Sequence, residues 1–270
     1  MYKKPKKRLG QNFLIDKNVL QKICNACNIV SSDIVVEIGP GRGELTSLLV
    51  QIPKKIYAIE KDLDLIQGLK DRFAENNNLE IINQDILKVE LKDIYQTHKK
   101  KIKLIGNIPY NISSPIIEYL INNRDFIDNA FFTVQKEFAQ RLTASSGSKL
   151  YGSLSCFAQY YSNPKIIFGI SRNCFRPVPK VDSSFIRIDI KNELPLDKTS
   201  EKKFFEITRA SFNQRRKTLR NSLSKFISQD ILDDFFKISG LDINTRPEKM
   251  LIKDFLTLTK LVISKRYQKK

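Results

Sequence analysis

Tryptophan is absent from the 270-residue chain, and His98 is its only histidine. With one imidazole, a Ser–His hydrolase or a metal hydrolase has little support. The segment Cys24-Asn25-Ala26-Cys27 has the spacing of a zinc or redox pair, but no second pair accompanies it. A structural zinc site needs four ligands, so we predict no metal and interpret both cysteines as small apolar residues on one helix face. His98 precedes three lysines, and we interpret it as a solvated loop residue.

Long apolar runs are also missing. No run approaches the roughly 20 residues that a membrane span needs. The basic start, Met1–Arg8, has no apolar stretch after it, so we predict no signal peptide and expect a cytoplasmic location. Acidic residues number 29 against 47 Lys and Arg, a net charge of +18. This excess favours a polyanionic partner rather than a membrane, although a lysine-rich solvated surface remains an alternative.

Short apolar runs recur at regular spacing through the first half of the chain, separated by helix-like patterns. Their bounds are Ile34–Ile38, Ile56–Ile59, Leu79–Ile82, Ile102–Ile105 and Ala130–Val134. Strand–helix alternation at this spacing predicts βαβ crossovers and a parallel α/β sheet. Two later β-rich runs, 165–170 and 184–190, are candidates for an antiparallel edge.

Polar or glycine-rich residues follow four of these runs. The loop Gly39-Pro40-Gly41-Arg42-Gly43 follows the first, then Glu60, Asp85 and Asn107 follow the next three. Open α/β sheets bind ligands at the carboxyl ends of parallel strands. The loop lets a ligand approach the backbone at Gly39 and Gly41, Glu60 is placed to accept from ribose hydroxyls, and Asp85 from an adenine amino group. Capping of the next helix is an alternative role for Asp85.

The segment Asn107-Ile108-Pro109-Tyr110 suits methyl transfer to an amino group. An adenine amino nitrogen is a poor nucleophile, and two acceptors, the Asn107 side chain and the Ile108 carbonyl, would favour its pyramidal transition state. Pro109 keeps the segment rigid, and Tyr110 is placed to stack on a base that has left its helix. The alternative is an ordinary turn after a strand.

The basic start of the chain allows two interpretations. Lys3–Arg8 is either a disordered tail, with Asp16 capping a helix that begins near Lys17, or an arm that contacts phosphate. In the second interpretation, Gln11–Leu14 lines a pocket. The pattern alone does not choose between them.

Taken together, these motifs resemble the KsgA/RsmA family of small-subunit (16S) rRNA adenine dimethyltransferases. The resemblance covers nearly the whole chain and is carried by Gly10–Leu14, Val36–Gly43, Glu60–Asp62, Gln84–Leu87, Gly106–Pro115, Phe175–Ser183 and Asn213–Asn221. It departs from the family at Ile108, where Leu is usual, and at Gln84-Asp85-Ile86, where Gly-Asp-Ala is usual. Position 108 acts through its backbone carbonyl, so Ile should serve.

The resemblance implies a Rossmann-like class I methyltransferase fold with a mostly parallel seven-stranded sheet and a small all-α C-terminal domain. It implies S-adenosylmethionine as methyl donor and dimethylation of two adjacent adenosines near the 3′ end of 16S rRNA, within a 30S subunit or its precursor. The implied cofactor contacts are Asn12, Leu14, Gly39, Glu60, Asp85 and Asn107. We expect a monomer and no DNA substrate.

The C-terminal quarter of the chain is predicted to bind rRNA. Residues 1–190 form the predicted catalytic domain, 191–202 a polar linker and 203–270 a helical domain. The basic patch Arg215, Arg216, Lys217 and Arg220 would grip phosphates, although a solvated helix face is the alternative. In the extended loop before the linker, Phe175 is either a second base-stacking residue opposite Tyr110 or a core residue.

Two other functions compete with this prediction. An Erm-type methyltransferase acting on 23S rRNA shares the catalytic motifs, but Ser114-Pro115 and the Asn213–Asn221 patch argue against it. A non-catalytic ribosome assembly factor would keep the fold, but the intact Asn107–Tyr110 segment argues against loss of catalysis.

Overall fold

A computed structural model of the protein describes residues 5–6, 9–214 and 216–267. The first five predicted strands are all present, as β2 to β6. The strands are β1 (Phe13–Leu14), β2 (Ile34–Ile38), β3 (Lys55–Glu60), β4 (Leu79–Asn83), β5 (Ile102–Asn107), β6 (Ile127–Gln135), β7 (Ser162–Ile170), β8 (Phe175–Arg176) and β9 (Ser183–Ile190). Every residue of β2 is buried, as expected for a central parallel strand covered on both faces.

Helices connect and follow these strands. They are α1 (Lys17–Ala26), α2 (Glu44–Leu49), α3 (Leu63–Arg72), α4 (Leu91–His98), α5 (Ser113–Asn122), α6 (Lys136–Leu142), α7 (Ser153–Tyr161), α8 (Lys198–Phe212), α9 (Leu219–Leu223), α10 (Gln229–Ser239) and α11 (Ile252–Tyr267). Several begin at a side-chain cap. Asp16 accepts from the Val19 amide at 3.0 Å, which confirms the predicted start of α1.

Seven strands form one sheet, in the order β4-β3-β2-β5-β6-β9-β7. The four pairings among β2 to β6 are all parallel, and β9 runs antiparallel to β6. The predicted parallel sheet is therefore confirmed, and the two later β-rich runs are its last two strands. The chain order reverses between β2 and β5, so the carboxyl ends of these strands flank a crevice.

Internal contacts divide the chain into two units. The first contains residues up to Ala139 together with Asn163–Ile190, which include the seven-stranded sheet. The second contains Gln140–Ser162 together with the residues from Lys191 onward, and is helical. Within it, α7 packs on α8, where Tyr161 donates to the buried Glu201 carboxylate at 3.0 Å.

Three details differ from expectation. The predicted linker, 191–202, overlaps α8, because Asp197 caps a helix that begins at Lys198. Residues 140–162 lie in the helical unit, not with the catalytic residues of the predicted domain 1–190. His98 is not a solvated loop residue: it ends α4, and its Nε2 lies 2.8 Å from the Tyr57 hydroxyl.

Cys24 and Cys27 are buried in the apolar core of the first unit, as interpreted. Burial raises the pKa of both thiols, so neither is ionised at neutral pH. None of the helices that the structure describes is both long and apolar enough to span a membrane.

Candidate active site

A cleft opens at the carboxyl ends of β2 to β5, with about 960 Å³ of empty space, part of it open to solvent. Most of the predicted site residues line it. Its walls are Leu9, Gly10, Gln11, Asn12, Phe13, Ile38, Gly39, Gly41, Ile59, Glu60, Lys61, Gln84, Asp85, Ile86, Asn107, Ile108, Pro109, Tyr110, Asn111 and Ile112. The structure thus brings residues from five separate stretches of sequence into one cavity.

The glycine loop after β2 is shaped by close contacts. Gly39 has φ +64°, a left-handed conformation that other residues rarely adopt. A Cβ on Gly41 would lie only 3.0 Å from the Phe13 ring, so that position must also stay small. The Gly41 amide donates to the Glu60 carboxylate at 3.1 Å, which joins the loop to the end of β3.

Glu60 is a buried acceptor at the cleft wall. Its side chain accepts from the amides of Gly41 and Asp62, the latter at 2.8 Å. Burial raises its pKa, and these two backbone donors act in the opposite direction. A carboxylate held in this way has lone pairs left to accept hydrogen bonds from hydroxyl groups of a ligand.

Asp85 has the capping role that its position allowed, and its role as an acceptor for an adenine amino group stays a prediction. It caps the short helical turn after β4 by accepting from the Leu87 amide at 3.1 Å, and it also lines the cleft. Lys61 pairs with its other oxygen at 2.8 Å. Burial alone would raise the pKa of Asp85, but Lys61 and Leu87 outweigh it and lower the pKa, so the group is a carboxylate at neutral pH.

Asn107 ends β5 with a defined side-chain orientation. Its Nδ2 donates to the Asn12 carbonyl at 2.8 Å, so its side-chain oxygen is the atom left to accept from a ligand. The preceding residue, Gly106, allows the close approach of β5 to β2. A Cβ there would lie 2.8 Å from the Ile38 carbonyl oxygen. Packing of the two strands therefore places Asn107.

The next three residues continue the wall. Ile108 is 1% exposed, and its amide donates to the Thr133 carbonyl at 3.0 Å, which ties the segment to β6. Pro109 then restricts the backbone. Tyr110 is half-buried, and its hydroxyl lies 2.8 Å from Ser183 Oγ on β9. Burial raises the pKa of Tyr110, so its phenol stays protonated, and the contact with Ser183 holds the hydroxyl end of the ring.

Comparison with known proteins identifies the family of this chain. The family described as ribosomal RNA adenine dimethylase matches residues 2–264. The chain belongs to the ribosomal RNA adenine dimethylase family. The ribosomal RNA small subunit methyltransferase A of Clostridium botulinum (strain Loch Maree / Type A3) is 42% identical over 250 residues, covering 92% of this chain and 90% of the relative. The protein of the same name from Clostridioides difficile (strain 630) is 38% identical over 263 residues, covering 96% and 91%.

Solved structures of similar proteins share the fold. A dimethyladenosine transferase from Plasmodium falciparum superposes with a TM-score of 0.78 at 28% identity, covering 95% of this chain and 98% of that one. The 23S rRNA methyltransferase ErmE has a TM-score of 0.76 at 23% identity, covering 93% and 100%. The second likeness concerns the fold alone. The Rossmann-like methyltransferase fold predicted from the sequence is confirmed.

Two residues that were predicted to contact ligands, Phe175 and Leu14, lie outside the main cleft of this dimethylase family member. Phe175 is 1% exposed and packs in the apolar core, because β8 pairs with β1 and places Phe175 opposite Leu14. The prediction that it stacks on a base is wrong, and the alternative of a core residue is correct. Leu14 lines a smaller adjoining cavity instead of the main cleft.

The basic patch of the second unit is only partly available. Arg216 and Lys217 are exposed. Arg220 forms an ion pair with Asp233 at 2.8 Å on α10, so its charge is already balanced. Arg215 lies outside the described residues. Among the patch residues that the structure describes, fewer have an unbalanced positive charge than the sequence suggests.

Sequence reasoning gave no role to Asp62 or Glu37, two buried carboxylates beside the cleft. The sequence signal that could have found Asp62 was its place in Glu60–Asp62, one of the stretches that carry the family resemblance. Glu37 lies inside β2, bonded to Thr46 at 2.7 Å. Burial raises its pKa to about 7. Among the described residues, no group of three or more His, Cys, Asp or Glu is arranged to hold a metal ion.

Proposed function

We propose that this chain transfers methyl groups from S-adenosylmethionine to the exocyclic amino nitrogens of two adjacent adenosines near the 3′ end of 16S rRNA, dimethylating each. The observation that carries the proposal is the orientation of Asn107. Its amide nitrogen is held by Asn12, and its oxygen, which has no donor among the residues that the structure describes, is left for a substrate amino group. This acceptor lies in the same cleft as the polar groups suited to a nucleoside.

The cleft residues fit S-adenosylmethionine. A Cβ added at Gly39 would meet nothing within 4 Å, so the loop borders open space where a ligand can approach the backbone. We assign the ribose hydroxyls to Glu60 and the adenine amino group to Asp85, both acceptors in the cleft wall. Asn12, Gly41 and Asn107 complete the cofactor contacts, and Leu14 supports the segment that carries Asn12. When bound, the cofactor supplies a methyl group already activated by its positive sulfur.

The chain's own contribution is positioning and charge stabilisation. The Asn107 oxygen and the Ile108 carbonyl accept the two hydrogens of the target amino group. The nitrogen lone pair then leaves conjugation with the ring and points along the transfer direction. Pro109 keeps the two acceptors fixed, and the Tyr110 ring covers the base. No protein group needs to act as a strong base, because the methylated nitrogen becomes acidic and releases its proton readily to water.

For the substrate, the relatives favour the small subunit. The two relatives at 38–42% identity carry small-subunit names, whereas the 23S enzyme is similar only in fold. We propose that the target is 16S rRNA in a 30S subunit or its precursor, recognised in the cytoplasm by a monomer that has no DNA substrate. Arg216 and Lys217 of the helical unit would contact phosphates and set orientation without reading bases.

One assay tests the proposal. The protein is incubated with labelled S-adenosylmethionine and unmethylated 30S particles, 50S particles, naked rRNA or duplex DNA. Label is expected in 16S rRNA as dimethyladenosine. Label found only in 50S particles or DNA would refute the substrate, and label in no sample would favour a non-catalytic assembly factor.

A matched pair of variants tests the site. Asn107→Ala is expected to lower turnover by about 100-fold or more, as for loss of one transition-state hydrogen bond, while RNA affinity is retained. Asn77→Ala is the control, since Asn77 is exposed at the opposite ends of the strands. An equal loss of RNA affinity in Asn107→Ala would show that its role is misassigned.

A further inference from the structure

Asp62 is a buried carboxylate with three hydrogen-bond donors. Its side chain is 3% exposed, and it lies at the start of α3, directly after the cleft residues Glu60 and Lys61. The Lys6 ammonium approaches it at 2.5 Å, the Gln11 side-chain amide at 2.8 Å and the Asp64 backbone amide at 3.1 Å. Two of these donors come from the N-terminal segment, more than 50 residues away in sequence.

The N-terminal donors are also joined to each other. The Lys6 backbone amide donates to the Gln11 side-chain oxygen at 2.7 Å, so both ends of the Gln11 amide are used. Lys6 has a further ion pair with Asp64 at 2.6 Å. A charged donor on a buried carboxylate is among the stronger polar contacts in proteins. These contacts therefore attach the N-terminal segment to the start of α3, and Asp62 is the anchor.

Beyond the anchor, the same segment forms a wall of the cleft. Residues 9–13 all line it. The next residue after Gln11 is Asn12, whose carbonyl accepts from Asn107 Nδ2 at 2.8 Å. Gly10 packs against Asn111, another residue of the cleft wall, since a Cβ on Gly10 would lie 2.9 Å from the Asn111 side-chain oxygen. A continuous polar path thus runs from Asp62 through Gln11 and Asn12 to Asn107.

We propose that Asp62 is a positioning residue that holds the N-terminal segment 9–14 across the cleft. This inference deepens the proposed function and rests on it. With the segment fastened, the Asn12 carbonyl fixes the Asn107 amide so that its oxygen faces the target amino group. With the segment loose, the Asn107 amide is free to turn and present its N–H groups, which repel an amino group. The segment also limits escape of the methyl donor.

The positive charge of Lys6 is therefore neutralised by ion pairs within the first unit. The sequence left Lys6 either in a disordered tail or in an arm that contacts phosphate, whereas in the structure its ammonium is balanced by Asp62 and Asp64. Both partners act to hold it in the charged form, and hydrogen bonding to Asp62 is the main reason that its pKa is raised.

The substitution Asp62→Asn separates this role from a structural one. Asn is as good a helix N-cap as Asp, so the Asp64 amide keeps its partner and α3 keeps its start. The negative charge that binds Lys6 is lost. The single amide oxygen of Asn must then accept from donors that the two carboxylate oxygens of Asp62 shared. Asp71→Asn is the control, since it removes the same charge from an exposed position of the same helix.

Three readouts are measured on the full chain. Hydrogen exchange of the amides of residues 9–14 should accelerate by about 10- to 100-fold in Asp62→Asn, as for loss of a charge-assisted hydrogen bond, while core strands are unchanged. The Kd for S-adenosylmethionine should rise, and kcat on 30S particles should fall as well, because Asn107 is less well oriented. Asp71→Asn should match the unsubstituted chain in all three.

A double substitution tests the pathway. Lys6→Met combined with Asp62→Asn should be little worse than Asp62→Asn alone, because both remove the Lys6–Asp62 contact and the remaining pair of Lys6 with the exposed Asp64 contributes little. Unchanged exchange at 9–14 in Asp62→Asn, or exchange that accelerates equally throughout the core, would overturn the inference. The exchange and Kd measurements need no RNA. If they change as expected and no chain methylates 16S rRNA, the proposed function fails and the anchor stands.

Discussion

Tyr110 offers the sharpest separation of stability from activity in this site. Its ring lines the cleft, and its hydroxyl lies 2.8 Å from Ser183 Oγ, which is 0% exposed. Tyr110→Phe keeps the ring and leaves the buried Ser183 hydroxyl without this partner. An unsatisfied buried polar group costs about 1–3 kcal/mol, so the free energy of unfolding should fall by that amount. The catalytic efficiency on 30S particles should change little.

Tyr110→Ala removes the ring as well. Stacking of a base on an aromatic side chain contributes about 1–3 kcal/mol. Each 1.4 kcal/mol is about tenfold, so kcat/KM should fall by about 5- to 150-fold. The assay is methyl transfer to unmethylated 30S particles at limiting RNA, with urea unfolding of each variant as the stability measurement.

A further variant controls for the lost hydroxyl contact. In Tyr110→Phe combined with Ser183→Ala, both polar partners are gone, so most of the lost stability should return. Burial raises the pKa of Tyr110 above its ordinary value of 10.0, so we expect no contribution of this phenol to the pH–rate profile in the neutral range. A Phe variant as inactive as the Ala variant would refute the reasoning, because the hydroxyl would then take part in the chemistry.

Other predictions concern packing, ionisation and RNA binding. Gly106→Ala should destabilise the protein by about 1–3 kcal/mol in urea unfolding, because its Cβ would lie 2.8 Å from a carbonyl of β2. Burial raises the pKa of Glu37 from 4.5 to about 7, so its contribution to stability is present below pH 4.5 and lost as pH rises through 7. Glu37→Gln should therefore reduce the fall in unfolding free energy between these pH values by about 3 kcal/mol, and an identical pH dependence would contradict this. Arg216→Ala with Lys217→Ala should weaken 30S binding and flatten its salt dependence by about one unit of slope per lost phosphate contact, whereas Lys70→Ala should not. An unchanged slope would mean that the patch is only a solvated helix face.

Some features followed from local sequence. The strands β2 to β6 were predicted because their apolar runs are continuous and regularly spaced, a pattern that few other folds produce. The carboxyl-end positions of Glu60, Asp85 and Asn107 then followed from the parallel arrangement. The Asp16 cap was equally local, since the donor amide of Val19 is three residues away.

Other features depended on partners distant in the chain. Tyr110 and Phe175 are both aromatic residues in family motifs, but β8 pairs with β1 and buries only Phe175 in the core. His98 was assigned to solvent from its lysine neighbours, and Tyr57, 41 residues earlier, binds its ring. Arg220 was grouped with its basic neighbours, whereas Asp233 on α10 balances its charge.

The sequence by itself determined the parallel sheet, the polar residues at the carboxyl ends of its strands and the Asn107–Tyr110 segment, because each of these depends on periodicity or on neighbours a few residues apart. Only the tertiary structure decided the orientation of the Asn107 amide and the anchoring of the N-terminal segment. Both depend on single hydrogen bonds between residues separated by 95, 56 or 51 positions. Such bonds form only when folding has brought the donor and acceptor atoms within 3 Å of each other, and no local pattern records them.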